Sequence, residues 1–239
     1  MTGLARTPTA GEYRARARPA GLFTEWINYP VAARLCTVAY RFRLRPTVLT
    51  VANLLLGIGA SVAVVLLGPT IAGDPRRAAV VGVLAWCAWQ LAYCADCSDG
   101  QLARVTSTAS AAGGRLDVLC DIAVQVSLVA AVAAVASAAG GVPAWLVAVF
   151  AGSWMVNLVT SVMAKEGTNV SLMSSASLMV RLVKLARDYS AMVTLIGATI
   201  AVRPAAMVWV MALFCVVNGG FLLASIAQAG RASWRGAAA

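Results

Sequence analysis

Residues 96–121 read DCSDGQLARVTSTASAAGGRLDVLCD and hold four of the nine acidic residues in the chain. Asp96 and Asp99 are three positions apart, and Asp117 and Asp121 are four apart. On a helix, either spacing puts two carboxylates on one face, one turn from each other. Apolar runs flank the stretch on both sides, so it predicts two helices meeting with four carboxylates converging on one point. Beside a membrane such a cluster is costly unless cations neutralise it.

The surrounding composition says that a membrane is there. Of 239 residues, 61% are hydrophobic and only 12% are charged, about half the charge of a soluble domain. The mean hydropathy is +0.81. The apolar residues fall in runs of about 20, enough to span a bilayer. The expected fold is all-α: a polytopic bundle of six transmembrane helices preceded by an interfacial amphipathic helix. The net charge of +10 fits the positive-inside rule and anionic headgroups better than nucleic acid, which is not an expected partner. The six cysteines lie mostly in apolar runs and act as small hydrophobes. Cys94 and Cys97 form a C-x-x-C, but the chain has no histidine and no second such pair, so a structural zinc site lacks ligands. The Arg-rich first twenty residues lack the apolar core of a cleavable signal peptide.

In chain order, residues 1–19 are expected as a mobile basic tail. Residues 20–45 carry apolar groups at three- and four-residue steps among Arg34, Arg41, Arg43 and Arg45. This suits a helix in the headgroup plane, anchored by Trp26, Tyr29 and Tyr40, with Pro30 interrupting it or at a first turn. Residues 46–228 are expected as one six-helix transmembrane domain that carries the acidic stretch, and 229–239 as a second tail. The spans are expected at about 47–68, 78–95 (continuing into the acidic stretch), 114–138, 144–164, 189–202 and 205–227, with a turn over 68–77. Asn53, inside the first span, needs a polar partner and faces the bundle. Six spans put sixteen of the nineteen basic residues on the side of the termini, leaving Arg76, Arg77 and Arg203 opposite. The termini and the acidic stretch are therefore expected in the cytoplasm of a cell whose plasma membrane the chain crosses.

The four carboxylates admit three readings: an ion-paired hairpin neutralised by Arg104 and Arg115, an acidic ring in a cation pathway, or a divalent-metal site. Two arginines fall short of four acids. Transport sites usually lie near the membrane midplane rather than at a helix end. A carboxylate-only cluster suits Mg²⁺, Mn²⁺ or Ca²⁺, and two such ions form a clamp for phosphoryl transfer. Gly100 and Gly113 permit a close approach of phosphate or sugar, and Arg104 suits a phosphate or a carboxylate.

Asp96, Asp99, Gly100, Ala103, Arg104, Gly113, Asp117 and Asp121 together spell D-x2-D-G-x2-A-R-x8-G-x3-D-x3-D. This resembles the signature of the CDP-alcohol phosphotransferases, and Pro46-Thr47-Val48-Leu49-Thr50 is similar to that family's P-N-x-L-T. The resemblance implies that an alcohol hydroxyl attacks a CDP-linked donor, commonly CDP-diacylglycerol, at the phosphorus distal to cytidine, and that CMP leaves. It implies Asp96, Asp99, Asp117 and Asp121 as ligands of two Mg²⁺ (or Mn²⁺) ions, with Asp121 also the general base. Gly100, Ala103, Arg104 and Gly113 would line the CDP pocket together with Asp96 and Asp99, and a homodimer is expected. For the acceptor, Val118 and Ile122 depart from the D-P-x-A-D-K usual in the glycerol-phosphate enzymes, and Ile122 also replaces the Arg frequent in the inositol-phosphate ones. Arg115, Lys165, Arg181, Lys184 and Arg187 are the basic residues available to a phosphorylated acceptor such as inositol phosphate. A different CDP-linked donor, or a non-catalytic scaffold, stays open as an alternative.

Overall fold

The computed structural model describes residues 7–166, 185 and 187–236, and all their regular structure is helical. After α1 (Ala10–Ala15) a π-helical segment, Thr24–Asn28, leads into α2 (Tyr29–Arg41). The long helices α3 (Pro46–Gly73), α4 (Pro75–Val105) and α5 (Ala111–Gly140) follow, then α6 (Ala144–Glu166) and α7 (Tyr189–Val202). A 3-10 turn at Pro204–Ala206 precedes α8 (Met207–Gly236). Among the described residues, four helical stretches are long and apolar enough to cross a membrane: α3, α4, α5 and Pro204–Arg231. Ala144–Thr160 and Tyr189–Val202 are shorter apolar helices. This is the architecture of a multi-pass membrane protein.

Local chemistry sets the boundaries. Pro46 and Pro75 sit in the first turns of α3 and α4, where a missing N–H costs nothing. Asp74 caps α4 by accepting from Arg76 N at 2.8 Å and Arg77 N at 3.3 Å. The turn expected over 68–77 shrinks to Asp74, because α3 runs through Pro69 to Gly73. Pro69 withholds one helix hydrogen bond without ending α3. At the end of α2, Arg43 adopts φ 54°, and Leu44 N donates to Ala39 O while Arg43 N donates to Tyr40 O. These are the two bonds of a Schellman ending, and they turn the chain sharply into α3.

Helix α3 packs along α4 and α5, and α7 lies against α4. The close approaches come from small residues. A Cβ at Gly82 would stand 2.5 Å from Ala201 N, one at Gly197 2.6 Å from Trp86 Cβ, and one at Gly57 2.6 Å from a Val124 methyl. Trp89, Trp154, Phe150, Phe214, Ile196 and Ile200 fill the main core, where the Trp154 and Phe214 rings stack at 4.7 Å. Gly152, Gly219 and Gly220, noted as permitting close helix contacts, face open space in the single chain.

The segment expected as a mobile tail contains α1. Thr9 accepts from Glu12 N at 3.3 Å and donates its own N–H to Glu12 Oε2 at 2.6 Å, a reciprocal cap. Tyr13 is fully buried against Ala33, Cys36, Ala39, Leu49 and Leu102, and burial pushes its phenol up to about 12. Helix α2 turns Ala32, Ala33, Cys36 and Ala39 inward and leaves Val38 exposed, as are Trp26 and Ile27 of the π segment and Phe42 just after α2. Ser98 of α4 bonds it at both ends, donating to Ala32 O and accepting at its own carbonyl from Cys36 Sγ.

Asp188 fastens the first segment to α7. Its carboxylate accepts from Phe23 N (2.9 Å), Thr24 N (3.1 Å), Thr24 Oγ1 (2.8 Å), Ser190 N (3.0 Å) and Ala191 N (3.4 Å). The start of the π segment and the start of α7 thus share one buried anion, and Gly21 approaches so closely that a Cβ there would overlap the Asp188 carboxylate. Replacing Asp188 by Ala strands four backbone N–H groups. The expected cost is about 3 kcal/mol, built from about 1 kcal/mol for the cap and the remainder for the stranded donors. In detergent this corresponds to a fall in Tm of roughly 5–10 °C. An unchanged melting curve would show that the two ends are held by other contacts.

Candidate active site

The four acids lie on two helices joined by a short, internally bonded turn. Thr106 Oγ1 donates to Leu102 O, Thr108 N donates to Ala103 O, and Ser107 takes φ 54°. Ser110 then caps α5, accepting from Gly113 N at 3.0 Å. The turn returns the chain antiparallel, so the aspartate stripe of α4 meets that of α5. One carboxylate oxygen from each of Asp96, Asp99 and Asp117 lies within 4.8 Å of the others. Asp99 is buried and the other two are half-buried. The Asp121 carboxyl lies within hydrogen-bonding reach of Asp96.

Helix α3 supplies the supports. Thr50 Oγ1 donates to Asp99 Oδ2 at 2.5 Å, and Asn53 Nδ2 donates to Asp121 Oδ1 at 3.3 Å. Thr50 and Asn53 are one turn apart on the same face, both almost fully buried. The inward direction of Asn53 was expected from its polarity inside an apolar run, and the aspartate it meets supplies the reason. Thr50 as a partner of Asp99 was missed. The signal was present, since a threonine one turn before a buried asparagine marks a polar stripe on an otherwise apolar helix.

The other residues singled out in the sequence divide into three groups. Gly100 and Ala103 follow Asp96 by four and seven positions, and Gly113 precedes Asp117 by four, so all three share the aspartate stripes. Arg104 lies on the flank. Its Nη1 comes within 2.9 Å of where a Cβ at Gly100 would stand, and its Nε donates to Arg16 O at 2.7 Å. It makes no ion pair with the aspartates; the pair present among the described residues is Arg77–Asp74. Arg115 is exposed and two positions from Asp117, a spacing that turns it away from the acidic face.

Arg187 stands apart from these. It donates from Nη1 to Asn218 Oδ1 at 3.1 Å and from Nη2 to Thr160 Oγ1 at 2.8 Å, and its guanidinium lies 3.6 Å from the Phe221 ring centre. Burial lowers its pKa to about 10, which leaves it charged at neutral pH. Arg181 and Lys184 lie outside the described residues, and Lys165 is placed only as part of the last turn of α6.

Three converging carboxylate oxygens form a donor set for a hard divalent ion. The positions that form it are the fixed positions of the D-x2-D-G-x2-A-R-x8-G-x3-D-x3-D pattern, carried on adjacent antiparallel helices. No curated protein matches the chain significantly. The family model for CDP-alcohol phosphatidyltransferase matches residues 43–218, from the α2–α3 turn to Asn218 in α8. The match takes in both aspartate helices, their α3 supports and most of the bundle, and the chain belongs to the CDP-alcohol phosphatidyltransferase family, divalent-metal-dependent membrane transferases of phospholipid biosynthesis.

Proposed function

We propose that the protein moves a phosphatidyl group from CDP-diacylglycerol to a hydroxyl of a polar, phosphorylated alcohol such as inositol phosphate, with release of CMP. The observation that carries this reading is the convergence of Asp96, Asp99 and Asp117 with Asp121 beside them. These four residues hold two Mg²⁺ ions, for which Mn²⁺ can substitute. When bound, the ions supply positive charge that offsets the carboxylates and the charge developing on the transferred phosphoryl oxygens.

The chain's own residues do the rest. Thr50 fixes the rotamer of Asp99, and Asn53 that of Asp121. Asp121 takes the proton of the acceptor hydroxyl as its oxygen bonds to the phosphorus distal to cytidine. The bond from that phosphorus to the bridging oxygen breaks, and CMP carries the electron pair away. Gly100, Ala103 and Gly113 leave room for the nucleotide along the two stripes, and Arg104 lies at its phosphate edge.

Arg187 anchors the acceptor phosphate, with Lys165, Arg181 and Lys184 of the same cytoplasmic stretch contributing charge and Arg115 contacting headgroups. Support comes from its partners: Thr160, Asn218 and Phe221 hold a charged guanidinium in place without neutralising it. Arg187→Ala is expected to raise the acceptor KM roughly tenfold or more, as for loss of a charge-assisted bond, while the donor KM stays near its original value. Equal changes in both constants would remove Arg187 from the acceptor site.

All six apolar helices cross the plasma membrane, with both termini and the acidic site in the cytoplasm. In support, Phe150 and Trp154 of α6 and Ile196 and Ile200 of α7 belong to the same core as the four long helices. The segment 20–45 lies in the headgroup plane through its exposed Trp26, Ile27 and Phe42. The open faces at Gly152, Gly219 and Gly220 are available to a second copy in a homodimer.

The test is CMP release by purified protein given CDP-diacylglycerol, Mg²⁺ and, separately, inositol phosphate, glycerol phosphate, serine, free inositol or glycerol. Release that depends on inositol phosphate is expected. Release with another acceptor corrects the alcohol. Absence of donor binding and of release in every case overturns the donor.

A further inference from the structure

The N-terminal segment reaches the flank of the acidic site. It is tied down at three places, by one buried side chain and two hydrogen bonds to backbone carbonyls. Tyr13 is fully buried in the small cluster formed with α2, Leu49 of α3 and Leu102 of α4. Arg16 gives its backbone carbonyl to Arg104 Nε at 2.7 Å. Arg18 gives its backbone carbonyl to the Tyr29 hydroxyl at 2.6 Å. Tyr29 itself sits close enough to Cys97, Glu25, Arg104 and Asp96 for each to act on its phenol. The segment therefore runs along the edge of the site rather than away from it.

The bond to Arg104 takes one particular donor. A guanidinium offers five N–H groups, and the Nε–H lies on the edge nearest its own backbone. With Nε held by Arg16 O, the four Nη donors have no hydrogen bond among the described residues. Nη1 lies over Gly100, one turn from Asp96. A long, flexible arginine left unheld would spread over many rotamers, and fixing it in advance removes that entropy cost from ligand binding.

We propose that residues 9–18 form a strap that positions Arg104 for the diphosphate of the donor: Tyr13 anchors the strap, and the Arg16 carbonyl holds the guanidinium by Nε so that its Nη edge faces the nucleotide. The residues of the strap are positioning residues. The matched family region begins at residue 43, so the strap lies outside it. The inference rests on the reading of Arg104 as a donor-binding residue.

The anchor supplies its own control. The Tyr13 hydroxyl is buried and has no hydrogen-bond partner among the described residues, so Tyr13→Phe keeps the anchor and Tyr13→Ala removes it. In the full-length protein, Tyr13→Ala is expected to raise the KM for CDP-diacylglycerol about tenfold, with kcat and the acceptor KM within about twofold of their original values. Tyr13→Phe behaves as the unaltered chain does. In an Arg104→Ala background, Tyr13→Ala has no further effect, since the group it positions is gone. A readout independent of activity is trypsin cleavage after Arg16, since the Arg18–Pro19 bond resists trypsin. Cleavage is slow in the unaltered chain and in Tyr13→Phe, and several-fold faster in Tyr13→Ala and Arg104→Ala. The proposal is overturned if Tyr13→Ala leaves donor KM and cleavage unchanged, if it moves the acceptor KM equally, or if its effect multiplies with that of Arg104→Ala. If the unaltered chain neither binds nor uses a CDP-linked donor, the reading of Arg104 fails and the ligand half of the proposal with it. The cleavage rates still decide whether the strap is tied to Arg104.

Discussion

Asp121→Asn lowers turnover by roughly 10²–10⁴-fold, the usual contribution of a positioned general base, while the donor still binds. The substitution preserves shape. The carboxamide oxygen can go on accepting from Asn53 Nδ2, as Asp121 Oδ1 does now at 3.3 Å. It removes only basicity and one negative charge. The cluster of Asp96, Asp99 and Asp117 remains, so divalent metal and CDP-diacylglycerol are still held. The check is single-turnover CMP formation at saturating acceptor, with donor binding measured beside it. Turnover within a few-fold of the original would remove Asp121 as the base. Loss of donor binding along with turnover would make it chiefly a metal ligand.

Asp117→Asn has an effect of similar size by a different route, and it also changes stability. Asp117 is the member of the three-carboxylate cluster contributed by α5. Without it the cluster loses both a ligand and the pull that draws α5 to α4 through a shared ion. CMP release is expected to fall below detection at millimolar Mg²⁺. The unliganded protein should become more stable, because a like charge leaves a half-buried cluster. The metal-bound protein should become less stable, because stabilisation by a bound ion shrinks as its affinity falls. The signature is a higher Tm in chelator combined with a smaller rise on adding Mg²⁺. A variant that keeps the full Mg²⁺-dependent rise would place the ions elsewhere.

The cluster and its helices were legible because membrane helices leave the sequence few options. Acids are scarce in this chain, so four of them at helical spacing stand out. Pro69 was misread because a proline between apolar runs suggests a turn. The packing of α3 along α4 and α5 carries the helix through it, and that packing has no local pattern. The tail was misread for another reason. The charges of Arg14, Arg16 and Arg18 dominate its composition, while its structure depends on one aromatic, Tyr13, whose pocket is assembled from α2, α3 and α4. The role of Asp188 was not legible, since three of its five hydrogen bonds go to residues more than 160 positions away. Long-range pairings of this kind have no local pattern. Thr50 lies between these cases, visible as part of a polar stripe but assigned a role only by the approach of Asp99.

The most direct test of the central claim, that the four aspartates form a two-metal site, is a count of bound Mn²⁺ by electron paramagnetic resonance on purified protein with CDP-diacylglycerol present. The account predicts two ions per chain in the unaltered protein, with dipolar coupling between them, and none in a chain carrying Asn at Asp96, Asp99, Asp117 and Asp121 together. Equal Mn²⁺ binding by the two proteins, or no binding by either, would contradict it.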